Sequence, residues 1–540
     1  MKLTRRLFAA TLFATFAVAP FSLQAQTDHV QSDIDPLVSA TVERARKEFN
    51  VPGMAVAIVK DGHVVLAKGY GVRKLGDSAP VTADTLFGIA SNSKAFTSAA
   101  IALLIDEHKL AWNDRVVDKL PEFAMSDAYV TREMRIRDLL CHRSGLGLGA
   151  GDLMFFPRSD LTADQIIYRL RFIPLATSFR SEYAYDNILY TVAGAVIQRV
   201  SGRTWQQFMR ERFFEPLEMK STRPSINDVT ARQDVAYPHV HVNDALTALP
   251  LDTLALDNSA PAGAIVSSVN DMSKWVATLL RSGRLPDGKT LISSAQMREL
   301  WRPATILPNG VPPPALTEGK TNFSSYAMGE QVREYRGELM ITHTGGLLGM
   351  VTQVSMLPEK NIGVIVFTNQ MVGAAFDSVS RTIFDHYLLD QDHGAPSKDW
   401  IGAYAGMLKT NASNASSVVE QAFQKRNAQS KSSLALESYA GRYRDPWYGD
   451  VLIEARDGKL AIRFTHNPAL TGTLEHFQYD TFVARWKDRS LDADAYVTFS
   501  LNPAGTIAEV KMKAVSPTTD FSFDFHDLAL KPAAASSPAW

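Results

Sequence analysis

Cysteine is almost absent from this 540-residue sequence, in which Cys141 is the only one. No intrachain disulfide can therefore form, and the fold must be held together by buried apolar surface. A content of 46% hydrophobic residues over this length is enough for more than one sizeable core. Cys141 precedes His142, but it follows an apolar stretch, and a lone cysteine is most often a small buried residue. We expect a structural thiol here and not a Cys/His catalytic pair.

An excess of charge of either sign is also missing. Lysine and arginine total 56, aspartate and glutamate total 57, and the formal net charge is −1. No basic stripe suggests a nucleic-acid partner, and no acidic tail suggests a basic protein partner. The composition therefore argues against a nucleic-acid-binding function.

Long apolar runs are confined to the N-terminus. A basic start within residues 2–6 is followed by an apolar run over residues 7–21, which is too short for a comfortable membrane span. The pattern predicts an export signal over residues 1–25, cleaved after Ala25, by the general secretory or the twin-arginine route. The mature protein is then expected to be periplasmic or secreted, with no stable insertion in a membrane.

Signatures of several other enzyme classes are missing as well. No Gly-x-Ser-x-Gly pentapeptide occurs, which argues against an α/β-hydrolase. The glycine-rich segment 145–151 lacks the third glycine of a dinucleotide-binding loop, and we interpret it as a loop at the rim of a pocket. His239 and His241 are accompanied by no His-Glu-x-x-His motif or cysteine pair. We therefore predict neither a metal nor a cofactor.

The most informative segment that is present is Ser91-Asn92-Ser93-Lys94. An extended stretch leads into it and a helix follows, and residues three apart on a helix share one face. A buried lysine that stays neutral can take the proton of a serine hydroxyl, which gives a nucleophile and its base. The alternative is that Ser91 only caps the helix. The apolar face of this helix, which includes Phe96 and Leu103, favours a water-poor setting and hence the catalytic interpretation.

Two further short elements follow along the chain. Tyr185-Asp186-Asn187 supplies a phenol that can relay protons and an amide that can hold a substrate carbonyl. His343-Thr344-Gly345-Gly346 ends in two glycines, which let a backbone edge approach a ligand closely. Each string alone is more often structural than catalytic, but their order in one chain makes the combination specific.

Together the three elements resemble the Ser-x-x-Lys, Tyr-x-Asn and Lys-Thr-Gly set of the serine β-lactamase and penicillin-binding-protein superfamily. Further similar segments are Leu-Leu-Cys-His-Arg-Ser-Gly-Leu at 139–146, Phe-Glu-Pro-Leu-Glu-Met-Lys-Ser-Thr at 214–222, and the stretch 261–272 that begins Pro-Ala-Gly. These landmarks place the chain near class C β-lactamases, D-aminopeptidases and family VIII esterases.

The resemblance implies a role for each site residue. Ser91 would attack a carbonyl and form an acyl-enzyme, and Lys94 and Tyr185 would transfer protons. Which of the two starts the reaction stays open. The oxyanion would lie between the N–H groups of Ser91 and Gly346. The other substrate-binding residues would be Asn187, His343, Thr344 and Gly345.

His343 is the informative departure from the family pattern. The family's β-lactamases carry lysine at this place, where it holds the carboxylate of the drug. Histidine is mostly neutral at pH 7, so efficient β-lactamase activity is not expected. Histidine here is similar to the peptidase and amidase side of the family, and a purely structural His343 is the alternative. Tyr183, Tyr190 and Tyr326 are candidates for an aromatic pocket wall or for core packing.

The order of predicted elements indicates an α+β domain over residues 26–408. A helix, a hairpin and a later strand region are predicted at 35–49, at 54–68 around Asp61-Gly62, and at 335–369. The segments 163–220 and 271–302 are predicted to be mostly helical. Strands at both ends of the domain indicate one antiparallel sheet, flanked by helices and with a helical region set against it.

A second, all-β domain is predicted over residues 434–530, followed by a tail at 531–540. The preceding residues 409–433 are rich in small polar residues, which indicates a linker with some helix. Alternating apolar residues, including those at 451–464 and 521–525, predict about eight short strands that form a small barrel. This part resembles the lipocalin-like domain attached to some β-lactamase-like peptidases. We expect a structural or substrate-gating role for it.

The sequence thus leads to the hypothesis of an exported serine peptidase or amidase that acts on linear peptides, including peptides with D-residues. A carboxylesterase, a β-lactamase and a non-catalytic penicillin-binding receptor are the alternatives. The partner expected is a small-molecule or peptide substrate. Chain-end against internal cleavage and homo-oligomer formation stay open.

Overall fold

The structure is a computed structural model that describes residues 24–230, 234–389 and 398–533, with side chains from residue 34 onward. The export signal is predicted over residues 1–25, and its residues 1–23 lie outside the described residues. None of the helices in the described ranges is long and apolar enough to cross a membrane.

An eight-stranded antiparallel sheet forms the centre of the first domain. The strands of this domain are β1 (Gly53–Lys60), β2 (His63–Gly71), β3 (Phe87–Gly88), β4 (His239–Val242), β5 (Ala245–Ala248), β6 (Val266–Ser267), β7 (Thr305–Ile306), β8 (Ser324–Tyr326), β9 (Gln331–Tyr335), β10 (Glu338–Leu347), β11 (Met350–Leu357) and β12 (Ile362–Thr368). The order in the large sheet is β2-β1-β12-β11-β10-β9-β8-β7, and β3–β6 and β4–β5 are separate pairs. The predicted sheet built from both ends of the domain is confirmed, and so is the hairpin, whose turn residues Asp61 and Gly62 both have positive φ.

Helices cover both faces of this sheet. They are α1 (Gln24–Glu48), α2 (Ser93–Asp106), α3 (Val116–Lys119), α4 (Ala128–Glu133), α5 (Ala163–Arg169), α6 (Ile188–Ser201), α7 (Trp205–Met209), α8 (Ala260–Gly263), α9 (Val269–Leu280), α10 (Ser294–Leu300), α11 (Gly373–Leu388) and α12 (Trp400–Lys425). Alternate residues of β1 join two different cores: Val56 and Ile58 pack in the one that contains α1 and α11, and Ala57 packs in the one that contains α2 and α9. Because both faces are covered, β1 and β12 are almost entirely apolar.

Helix α12 occupies much of the segment predicted as a linker. The Asp399 side chain accepts from Gly402 N–H at its start, and the helix continues to Lys425. Only Trp400, Ile401 and Tyr404 of this helix are buried. Residues 409–425 contain no glycine or proline and several good helix formers, so the helix continues beyond its buried first turns.

The second domain is a barrel-shaped antiparallel sheet. Its strands are β13 (Gly441–Asp445), β14 (Gly449–Arg456), β15 (Lys459–Phe464), β16 (Thr471–Gln478), β17 (Thr481–Trp486), β18 (Ala495–Leu501), β19 (Ile507–Ala514) and β20 (Lys531–Pro532). They follow the order β19-β18-β17-β16-β15-β14-β13-β20. Reciprocal backbone hydrogen bonds between Val510 and Leu530 bring the last segment back to β19, so the sheet is nearly closed. The predicted eight short strands are confirmed.

The prediction of a strand over residues 521–525 is wrong. These residues form turns, followed by a short 3-10 helix at Phe525–Asp527. The Asp520 carboxylate accepts from Ser522 N–H, and the Asp520 carbonyl accepts from Phe523 N–H. Such local bonds from aspartate compete with a strand ladder, which the alternation of phenylalanines could not reveal. We call residues 519–527 the barrel turn.

Candidate active site

Ser91 lies where β3 passes into helix α2. Ala90 directly before it has a φ of 49°, in the left-handed region that few non-glycine residues adopt. A single 3-10 turn, Ala90–Asn92, then leads into the helix. The chain therefore bends sharply at the serine, and Ser91 lines a cavity of about 420 Å³.

The Ser91 hydroxyl is held between an amine and a phenol. Lys94 Nζ lies 2.8 Å from Ser91 Oγ, and Tyr185 OH donates to the same oxygen over 2.8 Å. Burial raises the pKa of Tyr185 well above its ordinary value, so the phenol keeps its proton and donates it. Ser91 thus has one proton donor and one basic nitrogen within hydrogen-bond distance.

The surroundings of Lys94 favour a neutral amine that points at the serine. Burial lowers the pKa of Lys94 to about 7, although the carboxyls of Asp152 and Asp186 act in the opposite direction. Its Nζ also donates to Asn187 Oδ1 over 2.7 Å and to the Ala262 carbonyl over 2.9 Å. A neutral amine has two N–H groups, and these two acceptors use both. Its lone pair is then left for the Ser91 hydroxyl.

Tyr185 is backed by a residue to which sequence reasoning gave no role. The imidazole of His142 stacks against Tyr185 with ring centroids 4.2 Å apart, and its Nδ1 accepts from the N–H of Asp186. Burial lowers the pKa of His142, so the ring stays neutral. Burial also raises the pKa of the Cys141 thiol to about 12, which fits the structural thiol expected from sequence. His142 therefore positions Tyr185.

Asn187 is held in turn by a contact between the two domains. Asn187 Nδ2 donates to Asp152 Oδ2 over 2.8 Å, and Ser522 Oγ of the barrel turn donates to the same oxygen over 2.8 Å. Burial raises the pKa of Asp152 to about 8. A hydrogen-bonded chain thus runs from the barrel turn through Asp152, Asn187 and Lys94 to Ser91.

The barrel turn also forms one wall of the cavity. Asp524, fully buried, accepts from Gly151 N–H over 2.7 Å and from Leu153 N–H over 3.2 Å. Phe521 packs edge-on against Tyr185 with ring centroids 5.9 Å apart. Asp520, Phe521 and Ser522 all line the cavity around Ser91. The second domain is therefore part of the site and not a remote appendage.

The opposite wall is the end of strand β10. His343, Thr344 and Gly346 line the cavity, whereas Gly345 lies directly behind it. A Cβ atom at Gly345 would lie 2.1 Å from the Ile89 carbonyl oxygen, so only glycine lets β10 pass this close to the nucleophile turn. A Cβ at Gly346 would meet nothing within 4 Å, which leaves open space on the cavity side.

His343 has both ring nitrogens engaged. Its Nε2 lies 2.8 Å from Tyr326 OH, and its Nδ1 lies 2.6 Å from the Thr344 carbonyl. Nδ1 therefore carries the proton, and Nε2 accepts from the phenol. Burial lowers the pKa of His343 to about 3, and the nearby Lys94 adds to this effect. The position that holds a lysine in the family pattern is thus occupied here by a neutral ring.

The structure brings the sequence-predicted residues to one place. Ser91, Lys94, Tyr185 and Asn187 are joined by hydrogen bonds, and Tyr183 also lines the cavity. Leu148 of segment 145–151 lines it too, as expected for a rim loop. Three further residues considered from the sequence are buried, do not line this cavity and make hydrogen bonds to other groups: Tyr190, Tyr326 and His239. Within the described ranges, no group of three or more His, Cys, Asp or Glu side chains is arranged to hold a metal ion.

Both domains of the chain match known protein families. Residues 38–387 match the family model described as "Beta-lactamase", and residues 425–532 match a domain of unknown function, DUF3471. The chain is 28% identical to the unguisins hydrolase ungD of Aspergillus violaceofuscus (strain CBS 115571) over 506 residues, 88% of each chain.

Solved structures with low sequence identity share the fold. The octameric penicillin-binding protein homologue from Pyrococcus abyssi superposes with a TM-score of 0.58 at 20% identity, over 89% of this chain and 98% of that one. The D-amino acid amidase from Ochrobactrum anthropi SV3 superposes with a TM-score of 0.53 at 19% identity, over 65% of this chain and 99% of that one.

Proposed function

The chain belongs to the β-lactamase family of serine hydrolases, and from this premise we propose that it is a serine peptidase or amidase acting through an acyl-enzyme on Ser91. The observation that carries the proposal is the placement of Ser91 Oγ within 2.8 Å of both Lys94 Nζ and Tyr185 OH. A serine needs a base to become a nucleophile, and an amide leaving group needs an acid to depart. The two groups beside Ser91 can supply both.

The first step in this proposal is acylation. Ser91 Oγ attacks the carbonyl carbon of the substrate while Lys94 takes its proton, since the lone pair of the neutral amine faces the hydroxyl. The resulting oxyanion would lie between the N–H groups of Ser91 and Gly346, which line the same cavity. The proton then passes through Tyr185 to the leaving nitrogen as the carbon–nitrogen bond breaks. The amine product departs and an ester on Ser91 remains.

The second step is hydrolysis of that ester. A water molecule attacks the acyl carbon, its proton goes to the Lys94 and Tyr185 pair, and Ser91 Oγ leaves and regains a proton. Asn187 holds Lys94 through Oδ1 and is itself held by Asp152, so the base keeps its place through both steps. The site needs no metal or cofactor for this sequence of proton transfers.

Several observations support a peptide as the substrate. Two further cavities, of about 530 and 500 Å³, share the lining residues Phe156 and Leu348 with the cavity around Ser91. Neighbouring cavities of this kind suit an extended chain better than a compact drug. The neutral His343 offers no cation to a β-lactam carboxylate. Unguisins hydrolase and D-amino acid amidase are names of similar proteins, and they agree with amide chemistry, including substrates with D-residues.

Export and assembly complete the proposal. The basic and apolar start of the sequence supports export to the periplasm or beyond. A homo-oligomer is compatible with the octameric state named for the similar Pyrococcus abyssi protein.

A pool of linear peptides, with and without D-residues, tests the function. The pool is incubated with wild type, with Ser91→Ala and with Ser98→Ala, and cleavage is followed by mass spectrometry. Ser98 is a matched control, because it is buried on the same helix but does not line the cavity. Cleavage by wild type and Ser98→Ala alone is expected, and it would also reveal the bond preferred. If no variant cleaves any peptide, the peptidase proposal fails, and ester and β-lactam substrates become the next to test.

A further inference from the structure

The cavity around Ser91 has a single acidic side chain, and no lysine or arginine, among the described residues of its lining. Among the described residues that line it, Asp520 is the only Asp, Glu, Lys or Arg. The one histidine there, His343, is neutral because burial lowers its pKa to about 3. All other lining groups are apolar or carry uncharged hydroxyl and amide groups. Within the cavity around Ser91, the charge that a bound substrate meets therefore comes from the barrel turn.

The Asp520 carboxylate is oriented but not neutralised. Its Oδ1 accepts from Ser522 N–H over 2.9 Å, and this bond fixes the side chain within the turn. No salt bridge to Asp520 occurs within the described ranges, and the residue is half-buried. A half-buried carboxylate without a counter-ion attracts a cation more strongly than an exposed one, because less water screens it. Asp520 also lines the neighbouring cavity of about 530 Å³, so it lies where the two cavities meet.

We infer that Asp520 is a binding subsite for a cationic group of the substrate, namely an ammonium at the amino terminus of a peptide or on a basic side chain. The inference rests on the proposed function in one respect, namely the kind of bond that is cleaved. The subsite itself requires only that the substrate of Ser91 binds in this cavity. The same carboxylate repels anionic groups, so it selects against substrates with a carboxylate in that place. The second domain thereby sets part of the substrate preference.

Matched substrates test the subsite with the full-length protein. Three 4-nitroanilides of one peptide sequence are compared: free amino terminus, N-acetylated, and N-acetylated with one residue replaced by lysine. For Asp520→Asn we expect kcat/KM to fall about fivefold to thirtyfold on a cationic substrate, mainly through KM, and to stay unchanged on the neutral one. Asparagine keeps the oxygen that accepts from Ser522 N–H, so the turn is preserved. The effect on the free amine or on the lysine peptide tells which ammonium is bound.

Two controls make the result specific. Glu48→Gln removes a carboxylate that lines only the neighbouring cavity, so it should leave all three substrates unchanged. The preference of wild type for the cationic substrate should also shrink as salt is raised, because salt screens a partly exposed charge pair. Equal loss on cationic and neutral substrates with Asp520→Asn would overturn the inference, since Asp520 would then only shape the turn. No loss on either would overturn it as well.

A second substrate pair separates this inference from the proposed peptidase activity. The ethyl thioesters of 4-(trimethylammonio)butyric acid and of 5,5-dimethylhexanoic acid have the same shape and differ in charge on the acyl side, and neither contains an amide. If wild type cleaves no anilide but prefers the cationic thioester, and Asp520→Asn abolishes that preference, the cation subsite stands and the peptidase proposal falls. If both thioesters react alike in wild type and variant, there is no cation subsite, whatever happens to the peptides. Equal labelling of Ser91 by a neutral fluorophosphonate in both proteins confirms an intact site.

Discussion

Ser522 Oγ donates a hydrogen bond to Asp152 Oδ2 over 2.8 Å, although 370 residues separate the two along the chain. Asp152 in turn binds the amide that holds Lys94. A carboxyl from the first domain, fixed by a hydroxyl from the second, thus acts on Lys94 next to Ser91. The coupling is electrostatic as well as positional, because the Asp152 carboxyl raises the pKa of Lys94.

Replacing the Asp152 carboxyl by an amide should move the acid limb of the pH–rate profile. The pKa of Asp152 (about 8) and that of Lys94 (about 7) are close, and each group, when ionised, stabilises the ionised form of the other. Lys94 must be neutral to accept a proton, and its pKa of about 7 places that limb near neutrality. Asp152→Asn removes a group that raises this pKa, so the limb of kcat/KM should move to lower pH. Asparagine still accepts from Asn187 Nδ2, which preserves the geometry.

The pH dependence of kcat/KM is measured with a neutral ester at roughly pH 5 to 9. This range includes both the ordinary pKa of a histidine and the lowered pKa of Lys94. Asp160→Asn is the control, because Asp160 does not line the cavity around Ser91. A limb that stays in place or moves to higher pH would show that Lys94 is not the group titrating.

Replacing Tyr185 should affect amides more than activated esters. Tyr185→Phe deletes the phenol that donates to Ser91 Oγ and that passes a proton to the leaving nitrogen. We expect a loss of roughly 10²–10⁴ in kcat on a peptide anilide. A 4-nitrophenyl ester should lose less, because nitrophenolate departs without a proton. Tyr183→Phe, a tyrosine in the same cavity, should change neither rate by more than a few-fold. Equal losses on both substrates for Tyr185→Phe would exclude the leaving-group role.

Asp524 should matter for stability and activity together. Its carboxyl is fully buried and accepts from the N–H groups of Gly151 and Leu153. Asp524→Ala leaves these two donors without a partner, which should lower the free energy of unfolding by about 2–5 kcal/mol. Because Asp152 and the barrel turn then lose their alignment, kcat/KM should fall on charged and neutral substrates alike.

Urea unfolding followed by circular dichroism, with ester turnover on the same samples, checks both effects. Asp488→Ala is the matched control: it removes a carboxylate that caps a short turn of the same domain, away from Ser91. A loss of stability no larger than that of the control would mean that Asp524 is not the main contact between the domains at this place.

His343 should not contribute a limb to the pH–rate profile. Burial lowers its pKa to about 3, so the ring is neutral throughout the range in which the enzyme is assayed. His343→Gln keeps an oxygen that can accept from Tyr326 OH, and it should leave the acid limb where it is. The wild type should also open a cephalosporin far more slowly than it cleaves a neutral ester, since no cation meets the carboxylate of the drug. A limb that moves with this substitution would show that His343 does titrate near neutrality.

The parts of the fold and of the site that could be predicted depend on the spacing of residues within short segments. The hairpin at Asp61-Gly62 and the helix after Ser91 follow from turn chemistry and from apolar periodicity within short windows. The grouping of Ser91, Lys94, Tyr185 and Asn187 came from the order of three short motifs. Each of these signals lies within a few residues, or in a resemblance that spans most of the first domain.

The parts that were missed depend on contacts between distant segments. Nothing around Asp152 in the sequence marks it, because its partners Asn187 and Ser522 are far away along the chain. The apolar alternation at 521–525 indicated a strand, but Asp520 just before this segment and Asp524 within it accept from backbone N–H groups instead. Secondary-structure propensity describes what a segment prefers in isolation. Here the N–H groups of Gly151 and Leu153 in the first domain donate to Asp524, and these bonds help to decide the conformation of the barrel turn.

The barrel turn has a consequence for how chains of this kind can diversify. One wall of the cavity around Ser91 is encoded several hundred residues after Ser91, in a segment that supplies none of the proposed proton-transfer groups. Substitution of the residues of this turn that face the cavity can therefore redirect specificity, as long as the contact between Ser522 and Asp152 is kept. In this chain, a truncation that removes the second domain also removes part of the wall of the cavity around Ser91.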